Sequence, residues 1–391
     1  MLRKAFVALV LLLVVAVSLF WISWPDQIAS RSSSFDVAAL LNALSEVEQQ
    51  GFAHVDYSKA LEFPRDHGAH PKFFAETWFF SGHLATQEGR QFGFQLMFVR
   101  IALTPEPPQS SSAWATNQIY RAHFALTDVA ADQFYTSERF SRAALGLSGA
   151  EEDPVRVWLE NWSMTVLSEH ADLPHFRLQA DDDDFAMDLN LQSIKATVAP
   201  DGEDFVQAGS SGDGLRVYWA PRMSAQGQLK IGNEQYDVAG LAWLERAWGA
   251  VPIGGEGQIE FDRFVLQLDD DREMMIFQLH RRDGSAAPAV TGLLISAVGE
   301  IYRLGRRDLN LQVTHEWRSP IDGARYPAGW RLQLPYAKIN LVLRPTVANQ
   351  EMNFILRYWG GTVAFSGDVG GQPVTGSGYA ELRGYGRAGP L

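Results

Sequence analysis

The stretch FFSGHLATQEGRQFGFQLMFVR, residues 79–100, has the pattern of a strand, an acidic turn and a second strand. In the second strand, bulky apolar side chains occur at every other position, and alternate side chains of a strand lie on one face. An antiparallel strand of this kind closes readily into a small barrel, in which about eight strands leave room for one apolar ligand. The residues of this face are Phe92, Phe94, Leu96 and Phe98.

The period of two recurs along the chain after residue 60. The segment FAMDLNLQ, residues 185–192, alternates apolar with mostly polar side chains. Gly232-Asn233 and Gly370-Gly371 each separate two short strand patterns, as turn residues do. Few of these stretches have a helical period. The sequence therefore predicts an all-β fold, either a sandwich or a barrel.

A second hairpin pattern resembles the first. Residues 264–282, FVLQLDDDREMMIFQLHRR, again give a strand, an acidic turn and a strand containing FQL. Two related β units joined near the glycine-rich residues 249–258 would explain this, although any two amphipathic hairpins look alike. The 12 Trp and 23 Phe residues could line a cavity, but filling two cores is the commoner use of aromatic side chains.

Composition narrows the class of protein. A chain of 391 residues suits two domains of ordinary size, and 46% hydrophobic residues allow a real core. A net charge of −13 makes nucleic acid an unfavourable partner. The absence of cysteine excludes disulfides, thiolate nucleophiles and cysteine-bound metals. No nucleotide-binding glycine motif is present, and we predict no cofactor.

The N-terminus predicts export. A basic MLRK start precedes the uncharged segment Ala5–Trp24, whose length is close to the ~20 residues that span a bilayer. We favour an uncleaved anchor in the inner membrane, with the rest of the chain in the periplasm or outside the cell. AVS at residues 16–18 offers a cleavage site, so a removed signal peptide is the alternative. Residues 25–60 form a linker with a short amphipathic helix at residues 35–50.

The segment FPRDHGAHPKFFAETWFFSGHL, residues 63–84, concentrates polar side chains before a strand. Its D-H-x-x-H spacing does not match the HExxH zinc motif, so a metal site is disfavoured. We expect this segment to form a polar lid that closes the mouth of a hydrophobic barrel. The alternative is that its side chains carry out acid–base chemistry. The side chains concerned are Asp66, His67, His70 and Glu76.

A second cluster is GLAWLERAWG, residues 240–249. In a strand, Trp243 and Glu245 share one face and Arg246 lies on the other. Burial penalises a charged carboxylate, so an acid beside an indole in a cavity could hold a proton and donate it to an alkene or carbonyl. The alternative is a salt bridge of Glu245, which would need Arg222 or another arginine.

Eight motifs in order resemble the AttH/CrtC-type lipocalin-like family, which includes carotenoid 1,2-hydratases and predicted secreted hydrolases. The resemblance covers roughly residues 60–387 and implies two tandem lipocalin-like β-barrel domains behind the N-terminal hydrophobic helix. The motifs are FPRDHGAHPKFFAETWFFSGHL, YWAPRMSAQGQL, GLAWLERAWG, FVLQLDD with MMIFQL, WRSPIDGARYPAGW, NQEM, YWGGTV and GSGYAELRGY.

The resemblance also implies a lipophilic ligand and roles for individual residues. Glu245 would be the proton donor, Trp243 would stabilise positive charge, and Asp66, His67 or Glu76 would position water. An ABC transporter permease is an implied partner. The implied ligand-binding side chains are His70, Trp78, Tyr218, Arg222 and Trp248.

Departures from the family pattern weaken the hydratase expectation. The acid after Trp243 is Glu instead of the usual Asp, and Gly360 stands where the family has an acid. We therefore predict first a protein that binds an isoprenoid- or lipid-like molecule, and second a hydratase- or hydrolase-like enzyme. A scaffold with filled barrels is a third hypothesis. The predicted segments are the anchor or signal peptide at 1–24, the linker at 25–60, an N-terminal domain at 61–248 and a C-terminal domain at 249–391.

Overall fold

The computed structural model describes residues 51–167, 173–199, 214–249, 260–280, 289–354 and 356–386. The predicted anchor, the signal-cleavage site and the helix at residues 35–50 lie outside these residues. Within the described residues, no helix has the length and apolar character of a membrane span.

The first sheet has eleven antiparallel strands in the spatial order β4-β3-β2-β1-β11-β10-β9-β8-β7-β6-β5. A single 3₁₀ turn, Arg65–His67, precedes it. The strands are β1 (Ala75–Ala85), β2 (Gln91–Ala102), β3 (Gln118–Asp128), β4 (Gln133–Arg142), β5 (Ser148–Glu152), β6 (Val155–Leu159), β7 (Trp162–Val166), β8 (His175–Asp181), β9 (Phe185–Ser193), β10 (Leu215–Ile231) and β11 (Glu234–Gly249).

The second sheet repeats this order with fewer strands, as β15-β14-β13-β12-β21-β20-β18-β17-β16, and a short strand β19 also pairs with β20. The β12–β13 hairpin therefore occupies the place that the β1–β2 hairpin has in the first sheet. The strands are β12 (Glu260–Leu268), β13 (Glu273–His280), β14 (Ala289–Ile295), β15 (Ile301–Leu304), β16 (Asn310–Arg318), β17 (Arg325–Leu334), β18 (Ile339–Pro345), β19 (Glu351–Met352), β20 (Tyr358–Val369) and β21 (Gln372–Arg383).

The first sheet curls until its two ends meet, because β3 and β4 contact β6. Its concave face encloses a packed apolar core rather than an open lumen. Phe92, Phe94, Leu96 and Phe98 all lie in this core, as their alternation predicted. Phe185 and Leu189 reach it from the far side of the barrel.

The convex faces of the central strands are also buried, because the two barrels pack against each other there. Phe79, Trp219 and Trp243 of the first barrel meet Val265 and Tyr379 of the second in one apolar cluster. Polar contacts cross the same interface. Gln95 Nε2 donates to the Gly360 carbonyl at 2.9 Å, and the Tyr379 hydroxyl donates to Gln95 Oε1 at 2.8 Å.

The prediction of an all-β fold with two barrel-like sheets is confirmed. The strands around Gly232-Asn233 are longer than expected, since β10 and β11 have 17 and 16 residues. Both strands are buried on two faces, because alternate side chains such as Tyr218 and Trp219 lie in the first core and in the cluster between the barrels.

Candidate functional site

Seven of the ten predicted site residues meet at one end of the first barrel. Strand pairing brings them together: Glu76 lies opposite Trp248, and Tyr218 lies opposite Arg246, which lies opposite Trp78. The loop before β1 adds the remaining side chains over this end. We call this group the end cluster; its predicted members are Asp66, His67, His70, Glu76, Trp78, Tyr218 and Trp248.

Glu76 is the centre of the end cluster, and its side chain is fully buried. Its carboxylate accepts hydrogen bonds from Arg100 Nε, from Arg246 Nη2 and from the His70 amide at 3.0 Å. Burial opposes ionisation of Glu76, but the charges of Arg100 and Arg246 outweigh it and lower its pKa far below the ordinary range. The cluster therefore contains a buried carboxylate between two guanidinium groups.

His70 joins this ion cluster to the loop. Its ring lies 3.9 Å from the Trp248 ring with an interplanar angle of 4°. Its Nε2 lies 3.4 Å from Asp66 Oδ1, and its Nδ1 lies 3.0 Å from Arg246 Nη2. Burial raises the pKa of Asp66, but His70, the Glu62 amide and Arg65 lower it to about 2. The loop is thus fixed by charged contacts.

His67 has one ring nitrogen that is bonded within the described residues and one that is not. Its Nδ1 lies 2.6 Å from the Tyr218 hydroxyl, and its carbonyl accepts a hydrogen bond from Trp78 Nε1 at 2.8 Å. Its Nε2 is buried and has no hydrogen-bond partner among the described residues. Phe63 stacks on the ring at 4.5 Å, and Phe176 meets it edge-on at 5.3 Å. Burial, together with the nearby Arg246, lowers the pKa of His67 to about 3, so the imidazole is neutral at pH 7.

Sequence reasoning missed Arg100 and Arg246 as members of the cluster. Arg100 lies directly opposite Glu76 on the neighbouring strand, and Arg246 lies 3.9 Å from the centre of the Trp78 ring. The register of the β1–β2 hairpin would have revealed Arg100, because positions 76 and 100 are equidistant from the turn. Cross-strand opposite charges on one face were the available signal.

Glu245 and Trp243 are not part of the end cluster. They lie on the convex face of β11, where Glu245 receives hydrogen bonds from Arg263 Nη1 and from Trp219 Nε1 at 3.0 Å. Trp243 is 2% exposed in the cluster between the barrels, and its Nε1 has no partner among the described residues. Both oxygens of Glu245 are engaged, and Asp66, His67 and Glu76 lie behind the opposite face of the sheet. The structure therefore separates the predicted proton donor from the residues expected to position water.

Arg222 also serves the interface between the barrels. Its Nε donates to Glu273 Oε1 at 2.5 Å, and its Nη2 donates to the Leu268 carbonyl at 2.7 Å. Lys195 Nζ lies 2.8 Å from the other oxygen of Glu273. The predicted ligand-binding Arg222 is therefore engaged in an inter-barrel ion pair, away from the end cluster.

No group of three or more His, Asp or Glu side chains with metal-binding geometry occurs among the described residues. In the end cluster the two guanidinium groups occupy the space beside the carboxylate that a cation would take. Carboxylates can hold metals elsewhere, but here the Glu76 carboxylate accepts hydrogen bonds from N–H groups of Arg100, Arg246 and His70.

Buried histidines predict an acid-sensitive fold. Burial lowers the pKa of His67 to about 3 and of His83 to about 4, and it places the pKa of His123 well below 6.5. Below pH 6.5 the unfolded chain binds more protons at these sites, so stability falls as the pH drops, by about 1.4 kcal/mol per pH unit for each histidine. Glu273, whose pKa burial raises, opposes part of this slope.

We expect the unfolding free energy, measured with urea at pH 7.5, 6 and 5, to decline steeply below pH 6. In the variant His123→Asn the slope should lose the contribution of one proton. A stability that is constant from pH 7.5 to 5 would contradict the burial of these neutral imidazoles.

A groove of about 400 Å³ opens on the first barrel beside this site. It lies at the seam where β3 meets β5 and β6, and its floor includes Tyr120, which is 1% exposed. We call it the seam groove. Its lining residues are Pro107, Pro108, Ala115, Thr116, Asn117, Gln118, Tyr120, Ala143, Gly146, Ser148, Gly149, Ala150 and Trp158.

The seam groove is adjacent to the end cluster through Tyr120. Burial raises the pKa of Tyr120, and Arg100, Glu76 and Arg246 are close enough to act on it electrostatically. A molecule in the groove would therefore lie one side chain away from the buried ion cluster. None of the groove residues was predicted from the sequence, because β5 and β6 are short and carry no recognisable motif.

Comparison with solved structures supports the fold. An AttH protein from Nitrosomonas europaea has a TM-score of 0.74 at 27% identity, covering 86% of this chain and 100% of that chain. Kievitone hydratase from Nectria haematococca has a TM-score of 0.62 at 16% identity, covering 86% of this chain and 96% of that chain. No curated protein sequence matches the chain.

The AttH-like family matches residues 54–385, which is most of the chain and includes the end cluster and both barrels. The resemblance inferred from the eight motifs is thereby confirmed. On this match, the chain belongs to the AttH-like family.

Proposed function

We propose that the protein binds a small lipophilic molecule in the seam groove of its first barrel. The observation that carries this proposal is a groove of about 400 Å³ that reaches from the surface to the buried Tyr120. Its volume falls in the range of roughly 300–1,000 Å³ that is usual for small-molecule sites. The barrel interior itself is packed with aromatic side chains, so the seam groove is the better place for a ligand than a lumen.

The lining of the groove suits an amphiphilic molecule, because polar side chains such as Thr116, Asn117 and Gln118 line it beside apolar ones. Pro107, Pro108 and the Trp158 ring offer apolar surface, and the Trp158 Nε1 is occupied by the Gly146 carbonyl at 2.9 Å. Ser148 is 4% exposed, and its hydroxyl has no hydrogen-bond partner among the described residues. Because a buried unpaired hydroxyl costs free energy, a ligand that supplies a partner would be favoured there.

Filling the groove should abolish binding. We expect Ala115→Trp to weaken the affinity for the neutral fluorophore N-phenyl-1-naphthylamine at least about ten-fold, because an indole would take the space of the ligand. Ala131→Trp adds the same side chain at an exposed turn and should leave the affinity unchanged. Equal binding by both variants would remove the seam groove from the proposal, and a protein that never binds the probe would favour the filled-barrel scaffold.

A second function, acid–base catalysis at the end cluster, is favoured by the buried His67 nitrogen. Tyr218 holds one ring nitrogen and leaves the other without a partner among the described residues, which is the arrangement of an oriented imidazole base. The low pKa keeps His67 neutral and makes it a weak base, so its Nε2 would orient water as a hydrogen-bond acceptor and would not supply a proton. The fold is shared with kievitone hydratase, which makes addition of water the first reaction to test.

Isotope incorporation tests this second function. If it holds, full-length protein incubated with lipids extracted from its host in H₂¹⁸O yields a product that has gained one labelled water. The variant His67→Gln should lose that product while keeping the probe affinity of the groove. Identical product profiles for protein, variant and a blank would rule out hydration at His67.

The cellular setting is proposed from the sequence alone. An anchor at residues 5–24 would hold the barrels outside the cytoplasm, at the inner membrane or beyond it. A lipophilic cargo at that place would suit an ABC transporter permease as partner, as the family resemblance implies.

A further inference from the structure

The mouth of the seam groove has an unusual apolar rim. Two loops flank the groove, at residues 103–117 and 143–147. Each exposes large apolar side chains that pack on nothing in the barrel core. The exposed fractions are 36% for Leu103, 61% for Trp114, 53% for Leu145 and 46% for Leu147.

The two loops lie next to each other in space. Arg142 Nη2 donates to the Trp114 carbonyl at 3.3 Å, and the Ala143 amide donates to the Gln118 carbonyl at 3.1 Å. Leu145 has a φ of +55°, a conformation that is unfavourable for a leucine. The turn closed by the hydrogen bond from the Leu147 amide to the Ala144 carbonyl at 3.1 Å requires this φ, and it holds Leu145 exposed beside the groove.

The two loops of the rim are also unusual in carrying few charged residues. The chain carries a net charge of −13, yet Glu106 is the one charged residue between 103 and 117, and residues 143–147 carry none. A large apolar patch without charge is disfavoured in water and suits a lipid surface. A basic partner protein would find Glu106 alone as a complementary charge on these loops, and an acidic partner would find none.

Gly51, the first residue that the structure describes, lies beside this rim. A Cβ at Gly51 would lie 3.1 Å from Pro105 Cγ, in the loop that carries Leu103 and Trp114. The preceding residues 25–50 could span roughly 85 Å if extended, so the tether alone would not orient the barrel. It would, however, limit how far the rim can move from the membrane in which residues 5–24 are proposed to sit.

We propose that the rim of Leu103, Trp114, Leu145 and Leu147 docks on the lipid bilayer, so that the seam groove exchanges its ligand directly with the membrane. The ligand class is then a bilayer-soluble amphiphile with hydrogen-bonding groups, rather than a molecule that arrives through water. This inference rests on the proposed function for the role of the groove, but the docking itself can be tested without any ligand.

The absence of cysteine permits a direct test on the full chain. A Leu145→Cys variant is labelled with the fluorophore NBD and reconstituted into phosphatidylcholine vesicles that contain spin-labelled lipid. A Val298→Cys variant, whose position is 84% exposed on the second barrel, is the matched control. We expect lipid quenching of the label at 145 to be at least about five times that at 298, with a blue-shifted emission at 145 only.

Adding Trp114→Ser and Leu147→Ser should reduce the quenching at 145 to the level of the control, and an increase in salt should not. A label at 145 that stays as water-exposed as the label at 298, or equal quenching at both, would overturn the proposal. Docking by an unmutated protein that never binds the probe would refute the proposed ligand site and retain the rim. Probe binding without docking would retain the proposed ligand site and refute the rim.

Discussion

Replacing Glu76 by alanine is expected to cost more stability than any surface change in the protein. The substitution leaves Arg100 and Arg246 buried side by side without a counter-charge. Burial lowers the pKa of Arg246 and the charge of Glu76 opposes this, but a guanidinium stays protonated at pH 7 and cannot escape by neutralising. Removing one partner from a buried ion pair typically costs about 3–5 kcal/mol, and here two cations lose their shared partner.

The variant Glu76→Gln distinguishes the loss of the negative charge from the loss of side-chain volume. It keeps the volume of the side chain and one acceptor oxygen, so we expect it to fold with a loss of about 3 kcal/mol in urea denaturation if charge is what matters. The control is Asp188→Asn, which breaks the exposed bidentate pair with Arg177 and should cost less than about 1 kcal/mol.

A further readout shows whether Glu76 fixes the loop. Loss of its bonds to the His70 amide should release residues 65–73, which hydrogen exchange would detect as faster exchange there than in β9. If Glu76→Gln loses no more stability than Asp188→Asn, the two arginines must have another source of compensation, and the end cluster is not held together by charge.

Much of the fold followed from alternation in the sequence. Strands such as β9 and β2 have one face in the core, and a period of two predicts that face whatever the neighbours are. The repeated order of strands in the two sheets likewise places the two similar hairpins in equivalent positions. The lengths of the strands and the closure of the seam could not be predicted from the sequence, because they depend on contacts between segments far apart along the chain.

The site was predicted in part, and the reason lies in β11. The sequence correctly put Trp243 and Glu245 on one face and Arg246 on the other. It could not tell which face was the barrel interior, because both faces of this strand are buried. The face that carries Trp243 and Glu245 was predicted to line a cavity, whereas it contacts the second barrel. The loop residues Asp66, His67 and His70 were predicted to lie together because they are neighbours in one short polar segment before a strand.

Replacing Arg263 by leucine is expected to weaken the contact between the barrels. Arg263 donates to Glu245 of the first barrel and, at 2.5 Å, to Glu381 of the second. The two acids occupy equivalent positions, since Glu245 follows GLAWL and Glu381 follows GSGYA before each pairs with the first strand of its own sheet. Burial opposes ionisation of Glu381, but Arg263 and Arg383 lower its pKa. Without Arg263 two carboxylates share a buried interface, and we expect a loss of about 3 kcal/mol or more.

The double variant Arg263→Leu with Glu245→Leu distinguishes a structural Glu245 from a catalytic one. Glu381 keeps Arg383 as a partner, so Glu245 is the carboxylate that Arg263→Leu leaves without a counter-charge among the described residues. Removing it as well should therefore recover at least half of the lost stability, because replacing both members of a buried pair with apolar side chains is close to neutral. A proton donor would show the opposite behaviour, with no recovery of stability and a loss of turnover from Glu245→Leu alone. Urea denaturation of the two single variants and the double variant gives the coupling energy directly, and a coupling near zero would mean that Glu245 does not depend on Arg263.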